Sequence, residues 1–323
     1  MALFKDGEMR QKEKHLVFGA SGLLGSAIVR ELGTDSDILT PMHKEIDLTD
    51  YSSVLNFLRA YKPSRIYQAA GMVHGITGNI IKGSDMYTYN HTMDMNLLNA
   101  VNHVYDKDDV RVMMISSSCA YPVLTHPIKE NEMFTGPPEN TNKFYAMTKR
   151  CCMLLTEAYR MDGWDFRHVV PCSLYGKNDN YGDHGHVIPE LIKKFTVAVK
   201  DNVDTVEILG TGKESREFMY SDCAARAILD IMKMDKGDQE YPINIGSVDE
   251  AININVLANI ISGYCRYNGN ITTSGDIGGV PTRKVDSSYS RELIAEYDNV
   301  NLLNGLNLMV QDYYKTRGIV GIN

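Results

Sequence analysis

No stretch of this 323-residue chain holds the roughly twenty consecutive apolar residues that a membrane-spanning helix needs. Cysteine is scarce and scattered. Cys119, Cys151, Cys152, Cys172, Cys223 and Cys265 form no Cys-x-x-Cys pair, which argues against structural zinc and a disulfide scaffold and for a reducing, cytoplasmic setting. There is one tryptophan, Trp164, and no internal repeat or low-complexity segment. Basic residues are outnumbered 33 to 41, for a net charge of −8 and a pI near 5.6. A general nucleic-acid binder is therefore disfavoured, although a local basic site can still hold phosphates. Met1–Lys14 lacks the apolar core of a secretory signal, so residues 1–13 read as a polar extension.

What is present is ordinary for a globular enzyme: 43% hydrophobic and 23% charged residues, enough chain for two domains. Strands are expected at Leu16–Phe18, Ile38–Leu39, Arg65–Ala70, Val110–Ile115 and Arg167–Val170. Helices are expected at Leu23–Leu32, around Val54–Leu58, at Met93–Val104 and at Ala146–Tyr159. This alternation predicts an α/β fold with a Rossmann-type, doubly wound parallel sheet. The second half is less regular. Helices are expected at Ile188–Val199 and Cys223–Met234, the latter capped by Ser221-Asp222, and strands at Val206–Leu209 and Tyr241–Ile245. The expected division is a Rossmann domain over 1–175 and a smaller α/β substrate domain over 176–323, with later segments able to return to the first sheet.

Gly19-x-x-Gly22-x-x-Gly25 follows a strand and opens a helix, with Ser21, Leu23 and Leu24 between and after the glycines. The first glycine permits a tight turn, the second a close approach of backbone to pyrophosphate, and the third close helix packing. The helix N-terminus then offers free amides to the phosphates. Past the second strand, His43 and Lys44 suit the 2′-phosphate of NADP, whereas Glu45 would be the ribose acid of an NAD site. The charge pattern favours NADP(H), with Asp47 and Leu48 near the adenine.

Tyr145-x-x-x-Lys149 places a phenol and an ammonium on one helical face. The ammonium is expected to lower the phenol pKa and make Tyr145 an acid/base near neutrality. Ser116-Ser117-Ser118 ends the fourth strand, where open α/β sheets bind ligands, so Ser117 can hydrogen-bond a substrate carbonyl. His184 and His186 without a third ligand make no metal site.

With these residues in view the chain resembles the extended short-chain dehydrogenases/reductases, and within them the GDP-L-fucose synthase family. The resemblance runs from about Lys14 to Lys284. Besides the glycine loop and the Tyr/Lys pair, it rests on Asp47-Leu48-Thr49-Asp50, Ser116-Ser117-Ser118-Cys119-Ala120-Tyr121-Pro122, Gly136-Pro137-Pro138-Glu139-Asn140, Gly185-His186-Val187-Ile188-Pro189 and Ser215-Arg216-Glu217-Phe218. It implies NADPH-dependent 3,5-epimerisation and 4-reduction of a GDP-4-keto-6-deoxy sugar. In that reaction Cys119 and His186 form the epimerisation pair and Ser117, Tyr145 and Lys149 serve the reduction. Arg216 would bind the diphosphate, helped by Lys194, Arg283 and Lys284, with Ser118, Ser173 and Asn180 near the sugar. The family's dehydratases carry an Asp-Glu pair where this chain has Cys119-Ala120, so water elimination is disfavoured.

Two departures from the family pattern are His74, where two glycines are usual, and Ser173, where Asn is common. A homodimer through the Tyr145 helix is implied, with neither nucleic acid nor membrane as partner. The alternatives are a GDP-colitose or GDP-6-deoxyheptose enzyme, or a catalytically silent NADP(H) sensor.

Overall fold

The computed structural model describes residues 13–73, 75–182, 185–237, 240–275, 280–297 and 300–319; His74 and His184 lie outside them. In chain order the first elements are β1 (Lys14–Phe18), α1 (Leu23–Leu32), β2 (Asp37–Leu39), α2 (Tyr51–Tyr61), β3 (Arg65–Gln68), α3 (Ile76–Ile81), α4 (Gly83–Val104), β4 (Arg111–Ile115), α5 (Lys143–Met161) and β5 (Asp165–Pro171). The remainder comprises β6 (Ser173–Tyr175), α6 (Val187–Asp201), β7 (Thr205–Ile208), β8 (Ser215–Arg216), β9 (Phe218–Tyr220), α7 (Ser221–Lys233), β10 (Ile243–Ile245), β11 (Ile252–Asn253), α8 (Ile254–Tyr264), β12 (Asn270–Thr273), β13 (Thr282–Arg283), α9 (Ser288–Leu293) and α10 (Leu302–Arg317).

Six strands form one parallel sheet in the order β10-β5-β4-β3-β1-β2. Successive strand residues point to opposite faces, and here both faces are buried. Val17, Tyr67, Met113, Ile115 and Val169 pack with Ala27 and Ile28 of α1 and with α7. Leu16, Phe18, Ile66, Val112, Met114 and Phe166 pack with Val54 and Leu58 of α2, Leu97 and Leu98 of α4, and Cys152 of α5. Strand order reverses beside β1, which lies between β2 and β3. The crevice at the carboxyl ends of β1 and β3 is thus the expected ligand site of such a sheet.

Two features differ from the sequence expectations. α4 begins at Gly83 rather than Met93, because Asn90 and Asp94 occupy its buried stripe with Met86, Leu97 and Val101 and interrupt the apolar period. Neither Ser221 nor Asp222 caps α7: the helix starts at Ser221 after Tyr220, and Asp222 instead pairs with Arg30 of α1 at 2.5 Å. β10 lies beside β5 and α7 packs on α1, so the later half of the chain completes the first sheet. Outside that sheet, β8 sits between β11 and β13, and β6 pairs with β9. Among the described residues, no helix is long and apolar enough to cross a membrane.

Candidate active site

The glycine loop is dictated by contact as much as by turn geometry. Gly19 has φ +75°, and a Cβ there would lie 2.7 Å from the Ala69 backbone just after β3. A Cβ on Gly25 would lie 2.1 Å from the Gly19 carbonyl oxygen, so α1 rests directly on the loop. Gly22 stands at the N-cap of α1 with no side-chain cap, which leaves the first-turn amides around Leu23 and Leu24 for an anion. This cradle fits a dinucleotide pyrophosphate.

The adenosine end favours the phosphorylated cofactor. Ser21, His43 and Lys44 are exposed. Glu45 uses one carboxylate oxygen locally, accepting the Met42 amide at 2.7 Å. Asp47 accepts the amide and hydroxyl of Thr49 at 2.8 and 2.7 Å, and these bonds hold its carboxyl below the usual range. Leu48 is buried, and its carbonyl accepts from Asn96 at 3.0 Å.

At the end of β4, Ser117 caps a single turn over Ser118–Ala120, its hydroxyl accepting the Cys119 amide at 3.2 Å. Ser118 is buried in that turn. Tyr145 and Lys149 are both buried on α5, with the Lys149 Nζ 5.9 Å from the Tyr145 ring centroid. Here the structure corrects the expected phenol shift. Burial raises the Tyr145 pKa, and the opposing pull of Lys149 does not reverse it. Tyr145 therefore stands as the protonated phenol.

Cys119 lies beside this pair. It sits in the turn after β4 that packs against α5. Asn142, just before α5, points its amide nitrogen at the sulfur at 3.9 Å, and Asn79 in turn donates to the Asn142 side-chain oxygen. Arg150 fixes the turn from behind, donating to the carbonyls of Ala120 at 2.7 Å and Gly136 at 2.8 Å. His186 precedes α6, and its Nδ1 bonds Asp179 at 3.0 Å. Burial opposes a charged imidazole, but the Asp179 hydrogen bond and charge outweigh it and raise the His186 pKa. Asp179 is itself buried.

Arg216 and Arg283 face each other in register on the paired strands β8 and β13. Arg283 is buried, and its Nε and Nη2 have no hydrogen-bond partner. Burial first, and then the Arg283 charge, lower the Arg216 pKa. Two adjacent guanidiniums with unspent donors form a fork for a diphosphate. The other basic candidates are engaged elsewhere: Lys194 with Glu190 at 2.9 Å and the Glu207 carbonyl at 3.2 Å, Lys284 with Glu250 at 2.6 Å. The exposed Asn180 uses its side-chain oxygen to accept the Gly182 amide at 2.8 Å, and Ser173 begins β6 opposite Phe218.

Sequence reasoning missed Asp94, Gln68, Asn142, Asn79 and Arg150 as supports of the site and gave Asp179 no part in holding His186. Asp94 had a usable signal, a carboxylate four residues past Asn90 on the stripe that ends in Leu97 and Val101.

Residues 15–246 match the model of the NAD dependent epimerase/dehydratase family. The chain is similar to GDP-L-fucose synthase 1 of Arabidopsis thaliana, at 32% identity over 94% of this chain and 93% of that one. It is also similar to GDP-L-colitose synthase of Yersinia pseudotuberculosis, at 34% identity over 72% and 77%. A solved GDP-L-fucose synthetase from Naegleria fowleri, bound to NADP, superposes with a TM-score of 0.84 at 24% identity, covering 96% of each chain.

Proposed function

The chain belongs to the NAD dependent epimerase/dehydratase family, and from that premise we propose that it converts GDP-4-keto-6-deoxy-D-mannose to GDP-L-fucose. It is an NADP(H)-dependent epimerase/reductase of GDP-sugars. The observation that carries the specific reading is the position of Cys119, in the turn that Ser117 caps and that packs against α5, the helix of Tyr145 and Lys149. In this reading a substrate held by its diphosphate at Arg216 and Arg283 has a sulfur and a phenol within its reach.

The chemistry follows from the groups. A ketone at C4 acidifies the protons at C3 and C5. Cys119, as thiolate, removes each proton, and the Ser117 hydroxyl steadies the enolate oxygen. His186, whose charged form is favoured by Asp179, returns a proton from the opposite face. NADPH, when bound at the glycine loop, supplies the hydride for C4. Tyr145 gives its proton to the C4 oxygen, and the Lys149 ammonium steadies the phenolate left behind.

The test uses purified protein, NADPH and GDP-4-keto-6-deoxymannose in deuterated water. NADPH oxidation with deuterium at both C3 and C5 is the expected result. Label at one carbon or none would move the chain to a colitose- or heptose-type relative. NADPH binding without turnover would favour another keto-sugar or the silent sensor. A homodimer through α4 and α5 belongs to the same reading. Exposed Met147, Leu154 and Met161 on α5 support it, and sedimentation would test it.

A further inference from the structure

The catalytic lysine is not alone in its pocket. Lys149 is 4% exposed and Asp94 3% exposed, and they face each other at 3.7 Å from α5 and α4. The other Asp94 oxygen accepts from Gln68 at 3.1 Å, at the last residue of β3. A lysine this deep in apolar surroundings tends to lose its proton unless an anion holds it. The remaining titratable groups around it offer no such anion. Tyr145 and Cys152 lie on the same helix with their pKa values raised by burial. His168 of β5 is kept neutral by burial, its pKa lowered to about 3. Cys119 sits in the turn after β4 that packs against α5.

We propose that Asp94, held in place by Gln68, is the positioning residue that keeps Lys149 an ammonium throughout turnover. The inference rests on the reading of Tyr145 and Lys149 as the reduction pair. Burial works to neutralise the amine, and the Asp94 charge outweighs it. The consequence is specific to reduction. Tyr145 begins as a phenol and ends as a phenolate, so the positive charge is needed most after proton transfer. A neutral lysine would give that phenolate no counterion. Asp94 offsets the same charge beforehand, so the phenol is not ionised early.

The direct test is competitive acetylation of the cofactor-free protein with acetic anhydride across pH 7 to 10. The Lys149 peptide is quantified by mass spectrometry against exposed lysines. Only the neutral amine reacts. In Asp94→Asn the Lys149 labelling rate at pH 8 should rise about 100-fold, a shift of roughly two pKa units. Asp94→Glu should restore the parent rate. A parent-like rate in folded Asp94→Asn, or equal rates in the Asn and Glu variants, would overturn the proposal. Should Asp94→Asn not fold, Gln68→Met keeps both charges while releasing Asp94. It should raise labelling about threefold, and no rise would likewise overturn the proposal. The alkaline limb of NADPH oxidation should move down in step with the labelling midpoint, whereas a purely structural role would lower the rate at every pH alike. Failure of the underlying reading shows separately, as Tyr145→Phe that still oxidises NADPH at the parent rate with substrate present.

Discussion

Two buried cationic centres in this protein are built in opposite ways. At Lys149 the charge has a partner, Asp94, which is itself held by Gln68. At Arg216 and Arg283 two like charges sit in register on adjacent strands. No ion pair joins either arginine to a carboxylate among the described residues, and Arg283 keeps unspent donors. Balanced charge belongs to machinery that must stay fixed while a proton moves. Unbalanced charge belongs to a place where the ligand brings the anion. The same contrast explains why Lys194 and Lys284, each engaged with a protein carboxylate, are weaker candidates for the diphosphate than Arg283.

The largest effect that would sharpen this contrast is on stability. Asp94→Asn strands a buried ammonium and should destabilise the fold by about 3 kcal/mol or more, read from urea unfolding. Next is substrate binding. Arg283→Met should raise the KM for the GDP-sugar roughly 10- to 100-fold with kcat little changed, in line with about 1.5–3 kcal/mol for a charged hydrogen bond. If kcat fell and KM did not, Arg283 would not be a diphosphate ligand. A smaller effect of opposite sign should appear when the substrate is absent. Arg283→Met relieves repulsion with Arg216, so its unfolding midpoint should match or exceed that of the parent, and a loss of about 3 kcal/mol would break the comparison.

His186 is intermediate, a partly exposed imidazole tied to a buried carboxylate. Its pKa is raised in the folded protein, so its acid form is lost as pH rises through that raised value. Asp179→Asn leaves burial unopposed and should move the alkaline limb of C3/C5 deuterium exchange to lower pH. An unmoved limb would remove Asp179 from the account.

How much of this was legible in the sequence depends on whether a function is local. The glycine loop and Tyr145-x-x-x-Lys149 are contiguous, because one helix start and one helix face create them, and the structure places both at the carboxyl edge of the sheet. α1 matches its expected span residue for residue, since its apolar spacing is unbroken. Asp94 was readable as a carboxylate in the buried stripe of α4, but its partners Lys149 and Gln68 were not, because they come from α5 and β3 and no spacing in the sequence pairs them with it. Register across β8 and β13 singles out Arg283 over the adjacent Lys284, and no spacing rule reports register between strands so far apart in sequence. The fall of β10 beside β5 has the same origin: a three-residue strand carries no signal of which sheet it will join.

The central claim is that proton exchange at C3 and C5 and reduction at C4 use separate groups on one substrate. Tyr145→Phe in deuterated water, with NADPH and GDP-4-keto-6-deoxymannose, tests it most directly. The account predicts deuterium entering C3 and C5 while NADPH oxidation falls about 100-fold or more. NADPH oxidation at the parent rate, or loss of exchange in step with loss of reduction, would contradict it.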